Sequence, residues 1–150
     1  MDWTRMQPRD EKLTAQLHEL LESYPTGHDK LDKGNWHRVD QVMRSVHDDL
    51  GMDKRIPLDD EGVDDERTRQ HLSNRRWVRA LTSLFRAHSF RFRTGSGDLA
   101  LPLFADALKH LRAESASAQA WTTFELAELK LELGDPAAAA EGLHEAARLL

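Results

Sequence analysis

The chain has 150 residues, enough for one domain or two very small ones. Apolar residues make up 39% and charged residues 31%, with 26 acidic and 21 basic side chains and a formal charge of -5. No apolar run approaches the roughly 18 residues that a bilayer-spanning helix needs, and the first residues do not form a signal peptide. The absence of cysteine excludes disulfides, thiolate zinc sites and a cysteine nucleophile. We therefore expect a cytoplasmic protein with no membrane role.

Apolar residues recur at helical spacings along the whole chain, which predicts an all-α protein of about six helices. The first helix carries its apolar stripe at Leu13, Leu17, Leu20, Leu21 and Tyr24. The second carries it at Val39, Val42, Met43, Val46 and Leu50, and ends at Gly51. Residues 51–63 are acidic and contain Pro57 and Gly62, which predicts a loop.

A long helix is predicted to begin near Asp64, with Ser73 and Asn74 as a possible early break. Its buried face is predicted at Trp77, Leu81, Leu84, Phe85, His88 and Phe92. Pro102 removes a backbone donor, so the next regular helix is expected to start late. The segment Leu129–Leu133 alternates with period two, but its residues are helix formers, so helix is favoured over strand. Gly134, Asp135 and Pro136 predict a helix stop, an N-cap and a helix start.

The second half of the chain repeats itself with a period of 39 residues. In this register Phe85 matches Phe124, and the further pairs are Ala100 with Ala139, Phe104 with Leu143, Ala107 with Ala146 and Leu111 with Leu150. Two similar helix–turn–helix units are expected to stack, because a lone hairpin cannot bury its apolar face. We predict a single helical domain, with an N-terminal helical segment and acidic loop at 1–63 and two helical hairpins at 64–150.

The second of these units resembles the tetratricopeptide repeat family. The resemblance is carried by Phe124-Glu125-Leu126-Ala127, then Gly134-Asp135, then Ala139, Leu143 and Ala146. It extends over 76–150, although the first unit departs from the pattern at His88 and Pro102 and the period exceeds the family's 34 residues. The resemblance implies stacked helical hairpins that bind another protein on a concave surface.

Charge is distributed unevenly along the chain. Residues 53–66 carry seven acidic and two basic side chains, 67–97 carry eight arginines and no acid, and 98–150 carry nine acidic and four basic side chains. Arginine suits bidentate contact with carboxylate or phosphate. The predicted partner-binding residues are Arg75, Arg76, Arg79 and Arg86, with Trp77 and Phe90 as apolar neighbours.

Three interpretations of this arginine-rich helix remain open. The arginines can pair internally with the acidic residues of 53–66 and 98–150. They can instead bind an acidic segment of another protein, which makes the chain an adaptor, chaperone or regulatory module. They can also contact nucleic acid as part of a regulatory protein, although a pI of about 5.9 argues against this alternative.

The last helix combines a narrow polar stripe with a wide apolar arc. Helical arrays normally finish with a polar capping helix. Either the N-terminal helices fold back over this apolar arc, or a second copy of the chain covers it. For the second alternative we predict a homodimer interface through this helix, at Leu143, Ala147 and Leu150.

No catalytic motif is found, so neither an enzyme nor a cofactor is expected. Glu141 and His144 have the Glu-x-x-His spacing of di-iron bundles, but such sites need a second copy of the motif and two further glutamates. No metal site is therefore predicted. His88 lies on an apolar stripe, which indicates a core histidine.

Overall fold

A computed structural model describes residues 15, 16, 19, 20, 22, 33–91, 96–112 and 114–150. These residues contain five full α-helices, one 3-10 helix and no strand, which confirms the predicted all-α class. The elements are α1 (Lys33–Leu50), α2 (Glu66–Arg91), a 3-10 helix (Gly97–Ala100), α3 (Leu101–Leu111), α4 (Ala116–Glu132) and α5 (Pro136–Leu149). Described residues between 15 and 22 are also helical, and the rest of the predicted first helix lies outside the described residues.

Helix α1 buries the stripe that its sequence predicts. All five of its predicted core residues are buried, and the helix ends where Gly51 adopts a φ of 60°, which favours glycine. The preceding helical residues pack beside it, with Leu20 fully buried and the Gln16 amide donating to Ser45 Oγ at 2.6 Å. The predicted loop follows from residue 51, and the next helix begins at Glu66.

Helix α2 runs through Ser73 and Asn74 without interruption, so the predicted break is wrong. Serine and asparagine disturb helices when their side chains bond to the nearby backbone. Here Ser73 Oγ donates to Glu114 at 2.7 Å, and Asn74 Oδ1 accepts from the Gln70 amide at 3.0 Å. Both side chains are therefore engaged elsewhere. The predicted buried face of α2 is confirmed for the described residues, and Phe92 lies outside them.

Local capping residues define where the C-terminal helices begin and end. A 3-10 turn precedes α3, which carries Pro102 in its first turn. Ser115 caps α4 by accepting from the Ala118 amide at 3.2 Å. Gly134 has a φ of 85°, and Asp135 caps α5 by accepting from the Ala138 amide at 3.1 Å. Of the alternating leucines at 129–133, Leu129 and Leu131 lie in the last turn of α4 and Leu133 is its C-cap, which confirms helix over strand.

Each helix packs on its neighbour in the chain, and α4 and α5 form an antiparallel hairpin. Gly142 allows close approach in this hairpin, because a Cβ added there would lie 2.9 Å from the Ala127 Cβ. The main buried cluster draws on α1 to α4, with Trp77, Phe85 and Phe104 among its largest members. Helix α5 contributes only Ala139 and Ala146 to the buried residues, and neither belongs to that cluster. It therefore lies against α4 outside the main core.

Candidate binding surface

Arg76 lies in the protein interior, where it joins three parts of the chain. Its side chain is 2% exposed, pairs with Glu114 and lies 2.8 Å from the Asp60 carboxylate. It also donates to the backbone carbonyls of Pro57 and Asp59. Burial would lower the pKa of Arg76, but the hydrogen bonds and charges of the two carboxylates outweigh burial and raise it. Arg76 is a structural cation that attaches the acidic loop to α2.

Arg75 and Trp77 are also buried. One terminal nitrogen of Arg75 donates to the carbonyls of Gly51 and Lys54 at 3.1 and 3.0 Å, so this guanidinium holds the start of the loop. Trp77 is fully buried in the core. The predicted binding surface is therefore corrected at Arg75, Arg76 and Trp77, because side chains turned into the interior do not present a surface to a partner.

Internal ion pairing involves other arginines of the same helix. Arg79 lies 3.0 Å from the Asp106 carboxylate, and Arg91 forms two hydrogen bonds to Glu132 at 2.7 and 3.2 Å. The interpretation that the arginines pair with the 53–66 and 98–150 acids is confirmed for Arg76, Arg79 and Arg91. Of the predicted surface residues, Arg79 and Arg86 are exposed and Phe90 is half-buried against the core. Arg79 and Arg86 are seven residues apart, so they share one face of α2.

A cleft of about 370 Å³ opens beside Arg79, where the loop after α1 meets α2 and α3. Its walls combine exposed cations with apolar side chains and include two carboxylates. The lining residues are Met52, Asp53, Lys54, Arg55, Ile56, Leu58, Arg79, Asp106, Lys109 and His110. We call this the cationic cleft, because four lysines and arginines face two aspartates there.

Asp106 is held firmly within the cationic cleft. Ser83 Oγ donates to its carboxylate at 2.6 Å, and Arg79 Nε donates to the same oxygen at 3.0 Å. Partial burial would raise the pKa of Asp106, but these hydrogen bonds and the charge of Arg79 outweigh it and hold the pKa below its ordinary value. The Asp106 carboxylate is therefore ionised and engaged at neutral pH.

His110 lies at the edge of the same carboxylate. Its Nδ1 is 2.8 Å from the Asp106 carbonyl oxygen and 3.7 Å from the carboxylate. A carbonyl oxygen only accepts, so Nδ1 carries the hydrogen of this bond.

The structure adds four basic cleft residues that the sequence did not single out: Lys54, Arg55, Lys109 and His110. Lys54 and Arg55 belong to a segment whose net charge is negative, and Lys109 lies within another such segment. The net charge of each segment is negative, so it gave no indication of these three cations. Two adjacent cations followed by three apolar residues, in Lys54-Arg55-Ile56-Pro57-Leu58, are a local signal that could have indicated the loop side of the cleft.

The predicted dimer residues lie on the surface of α5. Leu143 is 44% exposed, Leu150 is 89% exposed and Ala147 is also exposed. Three exposed apolar residues of α4 accompany them: Trp121, Phe124 and Leu131. The rings of Trp121 and Phe124 lie 6.2 Å apart between centroids, at a tilt of 38°.

The histidine and glutamate residues that the sequence singles out for a possible site do not belong to a group of three or more ligand-type side chains in the described structure. His88 is buried, with its ring 5.9 Å from that of Phe104 and its Nε2 3.5 Å from a Glu125 carboxylate oxygen. Glu141 and His144 are both exposed on α5. Within the described part of the chain, no three histidine or acidic side chains are grouped to hold a metal ion. None of the helices described has the length and apolar character needed to cross a bilayer.

The described chain is thus an all-α protein with a cationic cleft on one side and an exposed apolar surface at its C-terminal hairpin. No protein-family model, curated protein or solved structure matches it.

Proposed function

We propose that the protein is a protein–protein interaction module, an adaptor, chaperone or regulatory protein, that binds an acidic segment of its partner. The cationic cleft is the surface that we assign to this segment. The proposal assigns no catalytic step or cofactor to the chain, and it locates the protein in the cytoplasm, as its cysteine-free sequence predicts.

The observation that carries the proposal is an excess of exposed cations in one cleft. Lys54 and Arg55 come from the loop, Arg79 from α2 and Lys109 from α3, and all four are exposed. Asp106 already neutralises part of Arg79, and Asp53 is the other carboxylate of the cleft, so the four cations leave an excess of positive charge for carboxylates of a partner. Exposed cations in a concave site raise the local concentration of anionic segments and increase association rates.

Apolar residues of the cleft favour a peptide over a fully charged polymer. Met52 and Ile56 are buried or half-buried, and Leu58 is 40% exposed. A partner segment with an apolar side chain between acidic residues would contact both the cationic and the apolar residues that line the cleft. Nucleic acid offers phosphate to the same cations, but the net charge of -5 opposes it at longer range.

A tetratricopeptide-like arrangement of the C-terminal half is part of the proposal. The hairpin of α4 and α5 supports it, since Ala139, Gly142 and Ala146 place small residues where the two helices lie closest. The positive φ at Gly134 makes the tight turn between them.

Charge reversal in the cleft tests the proposed function. The probe is a fluorescein-labelled peptide with glutamates on both sides of a leucine. Its binding to the protein is measured by fluorescence anisotropy at increasing salt concentrations. The variant K54E/K109E should bind at least about tenfold more weakly, a change of about 1.4 kcal/mol. R44E/R148E is the matched control, because it reverses two charges at exposed arginines that do not line the cleft.

Two results would contradict the proposed function. One is equal peptide affinity in the wild type and in K54E/K109E. The other is binding of single-stranded or duplex DNA with a steep salt dependence and no binding of the peptide, which would favour the nucleic-acid alternative.

A further inference from the structure

The C-terminal hairpin carries an uncovered apolar surface built from both of its helices. Its members are Trp121, Phe124, Leu131, Leu143, Ala147 and Leu150, and we call this set the apolar flank. The exposed fractions of its five large side chains range from 38% at Trp121 to 89% at Leu150. Soluble domains rarely leave apolar side chains of this size contiguous on one surface, so the flank indicates an interaction site.

Helix geometry places these residues on the same side of the hairpin. On α4, Trp121, Phe124 and Leu131 follow one another at three and seven residues, so they share one stripe. At α5, Leu143 and Ala147 and the C-cap residue Leu150 follow one another at four and three residues and form a second stripe. The two helices are antiparallel, with Gly142 against Ala127, and in that arrangement both stripes turn to the same flank of the helix pair. The flank is therefore one continuous surface rather than two.

The internal repeat shows what this surface lacks. Positions occupied by small residues are buried in both units, as at Ala100 and Ala139 (0% and 3% exposed). Positions occupied by large residues differ between the units. Phe85, Phe104 and Leu111 of the first unit are at most 2% exposed, whereas their equivalents in the second unit are 39%, 44% and 89% exposed: Phe124, Leu143 and Leu150.

The difference has a simple physical cause. The large residues of the first unit belong to a core that includes Ala118 and Leu129 of α4, so the next hairpin helps to cover them. The equivalent residues of the second unit lie on α4 and at α5, and none of the described helices covers them. What the flank lacks is a further pair of helices at the place where the next repeat would stack.

We propose that a second copy of this chain supplies those helices, so that two apolar flanks meet about a two-fold axis. A two-fold contact uses the same patch on both copies, and an apolar patch is complementary to itself. Charge does not oppose the contact. Glu128 is the only charged residue among the positions on this side of the hairpin, which are 117, 121, 124, 128 and 131 of α4 and 140, 143, 147 and 150 at α5.

The size of the flank suits a dimer. A large apolar side chain exposes about 200 Å² when uncovered, so the observed fractions leave roughly 500 Å² on each copy. If the contact covers all of this area, two copies bury on the order of 1,000 Å² of total surface, about the threshold for a biological interface and within the range of weak, transient ones. Trp121 and Phe124 would be its anchors, because aromatic residues are enriched among the side chains that dominate binding energy. The dimer is expected to be reversible at micromolar concentrations.

Analytical ultracentrifugation of the full chain from low to high micromolar concentration tests this proposal. The wild type should shift from the monomer mass of 17.2 kDa towards twice that mass. The single variants F124E and L143E should each raise the dimer dissociation constant at least about tenfold. L99E is the matched control, because Leu99 is 50% exposed on the 3-10 helix, outside the flank, and it should dimerise like the wild type.

Circular dichroism and the urea midpoint establish that each variant is folded before its mass is compared, and L131K provides a further flank variant if one of the others unfolds. A wild type that stays monomeric at high micromolar concentration would overturn the proposal. So would a dimer that persists unchanged in the folded flank variants, since that would place the interface elsewhere.

Discussion

The guanidinium group of Arg76 and the carboxylate of Glu114 form an ion pair in the protein interior, where the two side chains are 2% and 9% exposed. This pair joins the middle of α2 to the turn before α4. Asp60 completes it from the loop, and Ser73 donates to the second oxygen of Glu114. The pair positions the wall of the cationic cleft, because the loop that carries Lys54 and Arg55 is attached to α2 through Arg75 and Arg76.

Removing this central cation should destabilise the protein severely. R76M leaves the buried Glu114 carboxylate without its cation, and we expect a loss of about 3–5 kcal/mol in the free energy of unfolding. R76K should also destabilise it, because a single ammonium cannot reproduce the forked contacts to Asp60 and Glu114. Urea unfolding monitored by circular dichroism measures both.

R148M is the matched control for this experiment. Arg148 pairs with Glu145 on the surface of α5, where both side chains remain exposed, so its removal should leave the urea midpoint within error. Equal midpoints for R76M and R148M would show that the Arg76 pair does not hold the fold together.

Close packing at Gly142 should reverse the usual effect of alanine in a helix. Replacing glycine by alanine normally stabilises a helix interior by about 1 kcal/mol. In G142A the new methyl group would meet the Ala127 Cβ at 2.9 Å, so we expect a loss of about 1–3 kcal/mol instead. The double variant G142A/A127G returns that space and should recover part of the loss. A single variant more stable than the wild type would contradict close contact between α4 and α5.

Equivalent repeat positions should respond differently to truncation. Phe104 is fully buried, so F104A should cost about 3–5 kcal/mol through lost burial and a cavity. Leu143 occupies the matching position in the second unit but is 44% exposed, so L143A should cost less than about 1 kcal/mol in the monomer. Denaturant unfolding at low micromolar concentration makes this comparison. Losses of equal size would mean that Leu143 is covered within one chain.

Acidification should lower the free energy of unfolding, because it protonates His47. Its Nε2 lies 2.9 Å from Thr82 Oγ1, and burial, together with the charge of Arg79, lowers its pKa in the folded state, against a smaller opposing effect of Asp48. The unfolded chain then binds a proton at a higher pH than the folded one. The stabilisation from neutral His47 is complete above the unfolded pKa of about 6.5 and is lost as pH falls through the lower folded value.

The variant H47Q removes this titration while keeping an amide near Thr82. Between about pH 7.5 and about pH 5.5, its free energy of unfolding should change less than that of the wild type. These values lie about one unit on either side of the ordinary histidine pKa. Urea unfolding at the two pH values measures the difference. An identical loss on acidification in both proteins would exclude His47 as a source of the pH dependence.

The helices and their buried stripes were predictable from the sequence because their causes are local. Spacings of three and four residues bring Val39, Val42 and Val46 to one face of α1, whatever surrounds that helix. Gly134 and Asp135 end one helix and begin the next through their own backbone and side-chain preferences. Ser73 and Asn74 misled the prediction, since their hydrogen bonds go to other side chains and not to the helix backbone.

Only the tertiary structure decided which arginines are available. Arg75, Arg76 and Arg79 look alike in sequence, but successive residues of a helix point about 100° apart, so each meets a different part of the chain. Arg76 meets two carboxylates in the interior, whereas Arg79 opens onto the cationic cleft. The cleft itself gathers Lys54 and Lys109 from segments more than fifty residues apart. Burial and charge pairing depend on what lies across the fold, and local pattern does not contain that information.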